Sequence, residues 1–406
     1  MVVCPLGNTA AKKYTAPYII HNRCLFSLQI ILLSKRKRRM PSETKQKIKF
    51  INQGTFGCIF RPGISCKNHE VLTNKYISKI EKHHDNREID IGKYISSFPS
   101  ARNYFAPIIN SCNASLALID NEEIQKCNVI NSETTNNDNN VQFVSNTIPY
   151  VGEETLEMFL QNQAAILKPT KFYAKLLETH LYLLHSFNLL ASKGVIHYDV
   201  KENNIIYNPA KKVPIIIDFG LSFRIDNQKF TMDNLRDFFY VFATDYSPWT
   251  LEIVIISFVA KNRVVNPEQL VAVVDEYFAE NNNVLTIQEI DPEAYAVAHT
   301  KWREYIAVLA QKHPSPPNLI DELLKGWATW DTVALSVIYL FILNNLKKLV
   351  PISKQPKQSF LVKYETILST HIVSLPNERM SNEVLKGKLE KIQPTRRRIK
   401  HNHFPQ

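Results

Sequence analysis

Two short polar segments constrain this chain more than anything else in it. The run His197-Tyr198-Asp199-Val200-Lys201-Glu202-Asn203-Asn204 is followed, fourteen residues beyond Asn204, by Asp218-Phe219-Gly220. The apolar stretch Ile215-Ile216-Ile217 leads into the second segment. Oxygen ligands and a cation at such spacing suit phosphoryl transfer. That reaction needs a carboxylate to orient the attacking hydroxyl and oxygen donors to hold magnesium on the phosphates. Asp199 suits the first task, and Asn204 and Asp218 the second. Lys201, on the same loop as Asp199, can neutralise the transferring phosphate.

With these residues the chain resembles the eukaryotic-type serine/threonine protein kinases, whose catalytic loop reads H-R-D-L-x-x-x-N ahead of D-F-G. The resemblance implies that Asp199 and Lys201 are catalytic and that Asn204 and Asp218 hold the metal. Upstream, Asn52-Gln53-Gly54-Thr55-Phe56-Gly57-Cys58-Ile59 resembles the phosphate-covering loop, in which glycine lets backbone N–H groups approach phosphate. Asn52 stands where the family has its first glycine. Tyr76-Ile77-Ser78-Lys79 resembles the V-A-I-K strand, so Lys79 is expected on the α- and β-phosphates, with Lys75 and Lys82 as rivals. Ile77, in place of a small alanine, is expected to narrow the adenine slot. Glu88 is the expected partner of Lys79, with Asp90 as rival. Gly92, one turn later, is a poor helix former and suggests a mobile helix. Ile148-Pro149-Tyr150-Val151-Gly152 resembles the hinge between lobes, where Val151 and the carbonyl of Pro149 would meet the adenine edge. The cofactors implied are ATP and magnesium, with manganese as the alternative ion.

Three further matches extend the likeness. Trp249-Thr250-Leu251-Glu252 stands where the family has A-P-E. Asp331 begins a segment resembling D-V-W-S-L-G, whose Asp holds the catalytic loop. Arg379, in Pro376-Asn377-Glu378-Arg379, is the expected ion-pair partner of Glu252. Between Glu252 and Asp331 lie 78 residues, with extra helices expected over 270–278 and 295–311. The W-x-L-E segment, the bare G-T-F-G loop and the Asn/Ile/Lys-rich composition further resemble kinases of large nucleocytoplasmic DNA viruses.

The order of local patterns gives the fold class. Alternation over 47–51, the run Cys58-Ile59-Phe60, and strands over 76–80 and 141–151 precede a mostly helical remainder. A helix capped by Asp85 is expected through about Ser97, with Ile91 and Ile95 inward. The polar run 131–140 reads as a surface loop. We therefore expect an α+β, two-lobed, protein-kinase-like fold, with a small β-rich N-lobe and a larger helical C-lobe. The domain should span 45–393: N-lobe about 45–148, hinge 149–152, C-lobe 153–393. Residues 1–44 read as a basic, disordered extension and 394–406 as a basic tail. Because nothing before Met40 has a place in the fold, a chain starting there should keep its activity.

Charge and cysteine usage bound the partners. Taking the +8 of residues 1–40 and the +6 of residues 386–400 from the net +11 leaves −3 for the body between. A basic nucleic-acid-binding body is excluded, although the tails can still touch nucleic acid or membrane. The six cysteines form no C-x-x-C pair, so no zinc site is expected, and isolated cysteines suit a reducing, intracellular setting. For a viral protein that setting is host cytoplasm or virion. The cluster Lys35-Arg36-Lys37-Arg38-Arg39 would serve as a nuclear address or part of a mitochondrial leader. The apolar run 24–33 is too short to span a membrane.

Besides a protein substrate, three rival readings stand. A small-molecule kinase of the aminoglycoside or choline type shares the H-x-D-x-x-x-x-N logic, but Lys201 and Gly220 argue against it. A catalytically weak scaffold is encouraged by Asn52, Tyr198 and Gly92. A nucleic-acid-binding protein would rely on the tails alone. Tyr198 replaces the Arg that, in many members of the family, receives an activation-loop phosphate. Rings at Phe223, Phe230, Phe238, Phe239, Tyr240 and Phe242 are expected to order the loop instead, so that the enzyme needs no loop phosphorylation.

Overall fold

A computed structural model describes residues 47–54, 57–67, 70–82, 86–134, 142–225, 230–349 and 358–392. The expected extension 1–44, the tail 394–406 and the cap Asp85 lie outside these residues. All described residues belong to one unit, Gln46–Gln406.

The N-terminal part is a five-stranded antiparallel sheet in the order β1-β2-β3-β5-β4. Its strands are β1 (Lys49–Gln53), β2 (Gly57–Arg61), β3 (Tyr76–Lys82), β4 (Asn110–Asn113) and β5 (Phe143–Pro149). The alternation of β2 buries Cys58 and Phe60 on one face, where they meet Ile48, Ile64, Ile80, Ile119, Cys127 and Ile130. Gly57 is required by the pairing of β2 with β3, since a Cβ there would lie 2.7 Å from the carbonyl oxygen of Ile80.

Helix α1 (Arg87–Ser96) buries Ile91 and Ile95, the face expected from their spacing. Gly92 has a packing role rather than a loosening one. A Cβ at this position would lie 2.3 Å from the carbonyl oxygen of Ile108, so the glycine lets α1 press against that backbone. Close packing thus accounts for the glycine inside the helix. Two short helices, α2 (Asn121–Ile124) and α3 (Asn128–Thr134), precede β5. The expected loop over 131–140 thus begins within a helix, anchored by buried Cys127 and Ile130, while 135–140 lie outside the described residues. Four cysteines are paired, Cys58 with Cys127 and Cys66 with Cys112, and both pairs belong to the sheet region. This corrects the reading of these four as isolated thiols. Residues 46 and 69 positions apart meet only once the sheet has formed, so their spacing carried no signal.

The C-terminal part is mostly helical. Helix α4 (Leu156–Ile166) is capped by the Thr155 hydroxyl, and α5 (Pro169–Ser192) starts with proline in its first turn. Gly194, at φ +68°, lets the chain leave α5, as its position after the apolar repeat suggests. Two small ladders follow, β6 (Val195–Ile196) with β9 (Phe223–Arg224), and β7 (Ile205–Asn208) with β8 (Val213–Ile216). Then come α6 (Leu251–Asn262), α7 (Pro267–Glu280), α8 (Asn282–Ile290), α9 (Pro292–Lys312), α10 (Pro316–Leu324), α11 (Trp330–Leu349), α12 (Gln358–Val373) and α13 (Asn382–Lys391). The two extra helices expected between Glu252 and Asp331 correspond to α7 and α9, with α8 and α10 added. The architecture is α+β, with the sheet N-terminal and the helices C-terminal.

One core gathers α5, α11 and α12 around Leu176, Leu183, Tyr339 and Tyr364. A second gathers α6, α7, α9 and α10 around Ile255, Val274, Trp302 and Leu319. The stretch Trp327–Asn345 is long and apolar enough to cross a membrane, but 67% of its most apolar window is buried inside the protein, as suits a core helix.

Candidate active site

The loop between β6 and β7 carries Asp199, Lys201 and Asn204. Lys201 Nζ donates to Asp199 Oδ2 at 2.7 Å. Asn204 Nδ2 lies 2.9 Å from both Oδ2 and the backbone carbonyl of Asp199. Asp331, in the first turn of α11, holds the loop by accepting from the backbone N–H groups of His197 and Tyr198, at 2.8 and 3.0 Å. Burial pushes the Asp331 carboxyl up, while His197 and those two N–H groups favour its ionised form. Tyr198 adopts φ +70°, a conformation that a bulky residue takes only when its surroundings impose it. Those surroundings are Asp331 and the rings of Phe223, Phe239 and Trp249, whose centroids lie 5.1 to 5.8 Å from that of Tyr198.

A second group of charges comes from the sheet side. Lys79 Nζ lies 2.9 Å from Glu88 Oε2 and 3.0 Å from Glu81 Oε2. Asp218 interacts electrostatically with both Lys79 and Glu88. Burial alone would lower the Lys79 ammonium, but Glu88, Asp218 and Glu81 outweigh it and raise the group, keeping it cationic. Burial, reinforced by Asp218 and Glu81, pushes Glu88 up to about 7 against the pull of Lys79. Glu81 was missing from the sequence-derived set. Strand alternation could have found it, because Lys79 and Glu81 are two residues apart and share one face. The rival partner Asp90 instead faces Lys93 at 3.6 Å on the exposed side of α1.

The two groups are joined through the backbone. Ile217 N–H donates to the Asn204 carbonyl at 2.9 Å, and the Ile217 carbonyl accepts from His197 Nε2 at 3.0 Å. That bond assigns the proton to Nε2. Asp218 follows directly at φ +60°. Gly220 lies beside both groups, and a Cβ there would make only ordinary contacts, 3.4 Å from Asp218 Oδ1 and 3.6 Å from Glu88 Oε2.

The β1–β2 turn closes through Gly54 N–H to the Gly57 carbonyl at 2.9 Å. Thr55 and Phe56 lie outside the described residues. The Asn52 side chain accepts from Gln53 N–H, and the Gln53 side chain accepts from Asn128 N–H at the start of α3. The side-chain oxygens of Asn52 and Gln53 are thus engaged by the Gln53 and Asn128 N–H groups. Ile59 lies opposite Lys79 in the ladder, and Ile77 opposite Ile148. Pro149 ends β5. Val151 follows it, and Gly152, at φ +138°, packs against the carbonyl of Tyr207 in the helical part.

The segment from Asp218 to Glu252 crosses the Asp199 loop. The Tyr246 hydroxyl donates to Asp199 Oδ1. Trp249 Nε1 donates to the Tyr198 carbonyl at 3.0 Å. Phe223, Phe230, Phe238 and Phe239 form a ring cluster, whereas Phe242 packs on Phe258 and Tyr240 is exposed. At the segment's end Arg379 grips Glu252 with two N–H···O bonds of 2.6 and 3.1 Å, both side chains essentially inaccessible. Among the described residues, no set of three His, Cys, Asp or Glu side chains is arranged to hold a metal ion. Comparison with protein families and with curated proteins returns no match.

Proposed function

We propose that this chain is a protein kinase that transfers phosphate from ATP, with magnesium or manganese, to serine or threonine of another protein, on a two-lobed kinase-like fold. One observation carries the reading. Lys79 and Glu88 come from the sheet part and Asp199, Lys201 and Asn204 from the helical part, and Asp218 is electrostatically coupled to the first pair while its neighbour Ile217 bonds Asn204.

The residues suit a nucleotide with its cation. Three carboxylates, Glu81, Glu88 and Asp218, act on the single ammonium of Lys79, and Glu88 is raised by burial first, with Asp218 and Glu81 adding to it. Magnesium commonly takes one or two protein oxygen ligands and completes its shell with phosphate and water, so Asp218 with Asn204 is a sufficient set. When bound, ATP would supply the phosphoryl group and the metal its charge neutralisation. Glu88 orients Lys79 for the phosphates. Lys201 and Asn204 hold Asp199 Oδ2, leaving Oδ1 as the oxygen that orients an incoming hydroxyl.

A second reading, a catalytically weak scaffold, draws support from Tyr246, whose hydroxyl occupies that same Oδ1. Incubation of the full chain with ATP, magnesium and a Ser/Thr peptide library separates the two. Transfer that Asp199→Ala and Asp218→Ala both abolish, by at least about 10²-fold, supports the kinase. Nucleotide binding without transfer supports the scaffold. Transfer to an aminoglycoside or choline, with none to peptides, overturns the protein-kinase assignment.

A further inference from the structure

Helices α7 and α8 contribute nothing to the charged groups above, yet they hold the backbone that passes over Asp199. Asn281 Nδ2 donates to the Thr244 carbonyl at 2.9 Å and reaches that of Tyr246 at 3.5 Å. Asn283 Nδ2 donates to the Ser247 carbonyl at 2.5 Å, and the Tyr277 hydroxyl to the Trp249 carbonyl at 3.1 Å. All three side chains are buried. Asn281 is also the junction of the two helices, and its Oδ1 accepts from Asn283 N–H at 3.0 Å to start α8. One amide thus caps a helix with its oxygen and holds the crossing segment with its nitrogen.

We propose that the α7–α8 corner is a built-in clamp that positions segment 244–249 for the acceptor peptide, doing by fixed hydrogen bonds what a loop phosphate does elsewhere. The inference rests on the phosphotransfer reading and adds the means of ordering its peptide side. The surroundings of the loop point the same way. The buried Thr244 hydroxyl sits 3.0 Å from Glu276 Oε1 and 2.9 Å from Glu280 Oε2. A phosphate on Thr244 would face two carboxylates and disrupt the segment by like-charge repulsion. The Arg236 guanidinium, a candidate phosphate receiver, instead donates to the carbonyls of Ala260 and Lys261 near the end of α6. Arg224 lies over the Tyr94 ring at 3.8 Å. Buried amide-to-carbonyl bonds are costly to break, because the orphaned carbonyls lose a partner without gaining water.

Asn281→Ser tests the clamp without removing the helix cap, since serine caps about as well as asparagine but is too short to reach Thr244. Asn283→Ala is the second variant. For both, on the full chain, we expect a tenfold or greater rise in peptide KM, unchanged affinity for ATP, and faster amide hydrogen exchange confined to 244–249. Phosphatase treatment of the wild type should leave its rate unchanged, and Thr244→Glu should lower it at least tenfold. Peptide KM and exchange within twofold of wild type in both variants would overturn the clamp, as would a tenfold loss of wild-type rate on dephosphorylation. If the wild type phosphorylates no peptide, the function reading fails instead. The exchange measurement then decides the clamp by itself.

Discussion

Tyr246 and Asp199 share a hydrogen bond on the carboxylate oxygen that the loop itself leaves open: Lys201 and Asn204 both bind Oδ2, and the Tyr246 hydroxyl donates to Oδ1. A substrate hydroxyl seeking Oδ1 has to compete with it. Hydrogen bonds to a charged group contribute about 1.5–3 kcal/mol. Tyr246→Phe, which keeps the ring against Trp249, should therefore raise the peptide phosphorylation rate by about tenfold. A comparable fall would instead make Tyr246 a residue that orients Asp199 for catalysis. Steady-state rates on a single peptide decide the sign.

Glu252 and Arg379 form a buried bidentate pair that ties the start of α6 to the segment after α12. Removing one partner strands the other without water, a change that costs about 3–5 kcal/mol. Arg379→Ala should therefore destabilise the fold by that order in urea unfolding. The double change Glu252→Leu with Arg379→Met should recover much of the loss, because it leaves no buried charge. A double variant no more stable than Arg379→Ala would mean that packing, rather than an orphaned carboxylate, causes the loss.

Stability should depend on pH through two buried histidines. Burial holds His180 down to about 3, and His371 is likewise lowered, by burial first and then by nearby Arg379. Both stay neutral in the folded protein, whereas in the unfolded chain they titrate near 6.5. As pH falls below about 6.5 the unfolded state takes up protons that the folded state refuses. Stability then drops by up to about 1.4 kcal/mol per pH unit for each histidine. Glu88, raised to about 7, takes up its proton in the folded state first and opposes this decline between pH 8 and 5, so the readout is the difference between variants. Between pH 6.5 and 5, His180→Phe should lose less melting temperature than the wild type, because Glu88 titrates alike in both.

Cys58–Cys127 and Cys66–Cys112 close loops of 69 and 46 residues across the sheet region. In the chain-entropy account, closing a loop of this length stabilises by roughly 4 kcal/mol. Reduction should lower the melting temperature, with Cys58→Ser reproducing part of the effect. Alkylation of the unfolded, unreduced chain should label Cys4 and Cys24 alone. Labelling of all six would show the thiols to be free.

The order of motifs and the type of each long element were legible in the sequence. A strand's alternation and a helix's three-to-four spacing are set by the backbone within a few residues, so β2, β3, α1 and α5 declared themselves. The Lys79–Glu88 and Glu252–Arg379 pairings were also legible, because each rests on a short segment whose pattern is distinctive. Tertiary structure decided the rest. The start of α3 is held by Gln53, which accepts from Asn128 N–H across the fold, and Gly92 acquires its meaning only from the Ile108 carbonyl packed against it. The cysteine pairs, the contact of Tyr246 with Asp199, and the hold of Asn281 and Asn283 on the crossing segment join surfaces far apart in the chain. Such contacts depend on how finished elements pack, and no local period encodes which polar side chain will meet which carbonyl.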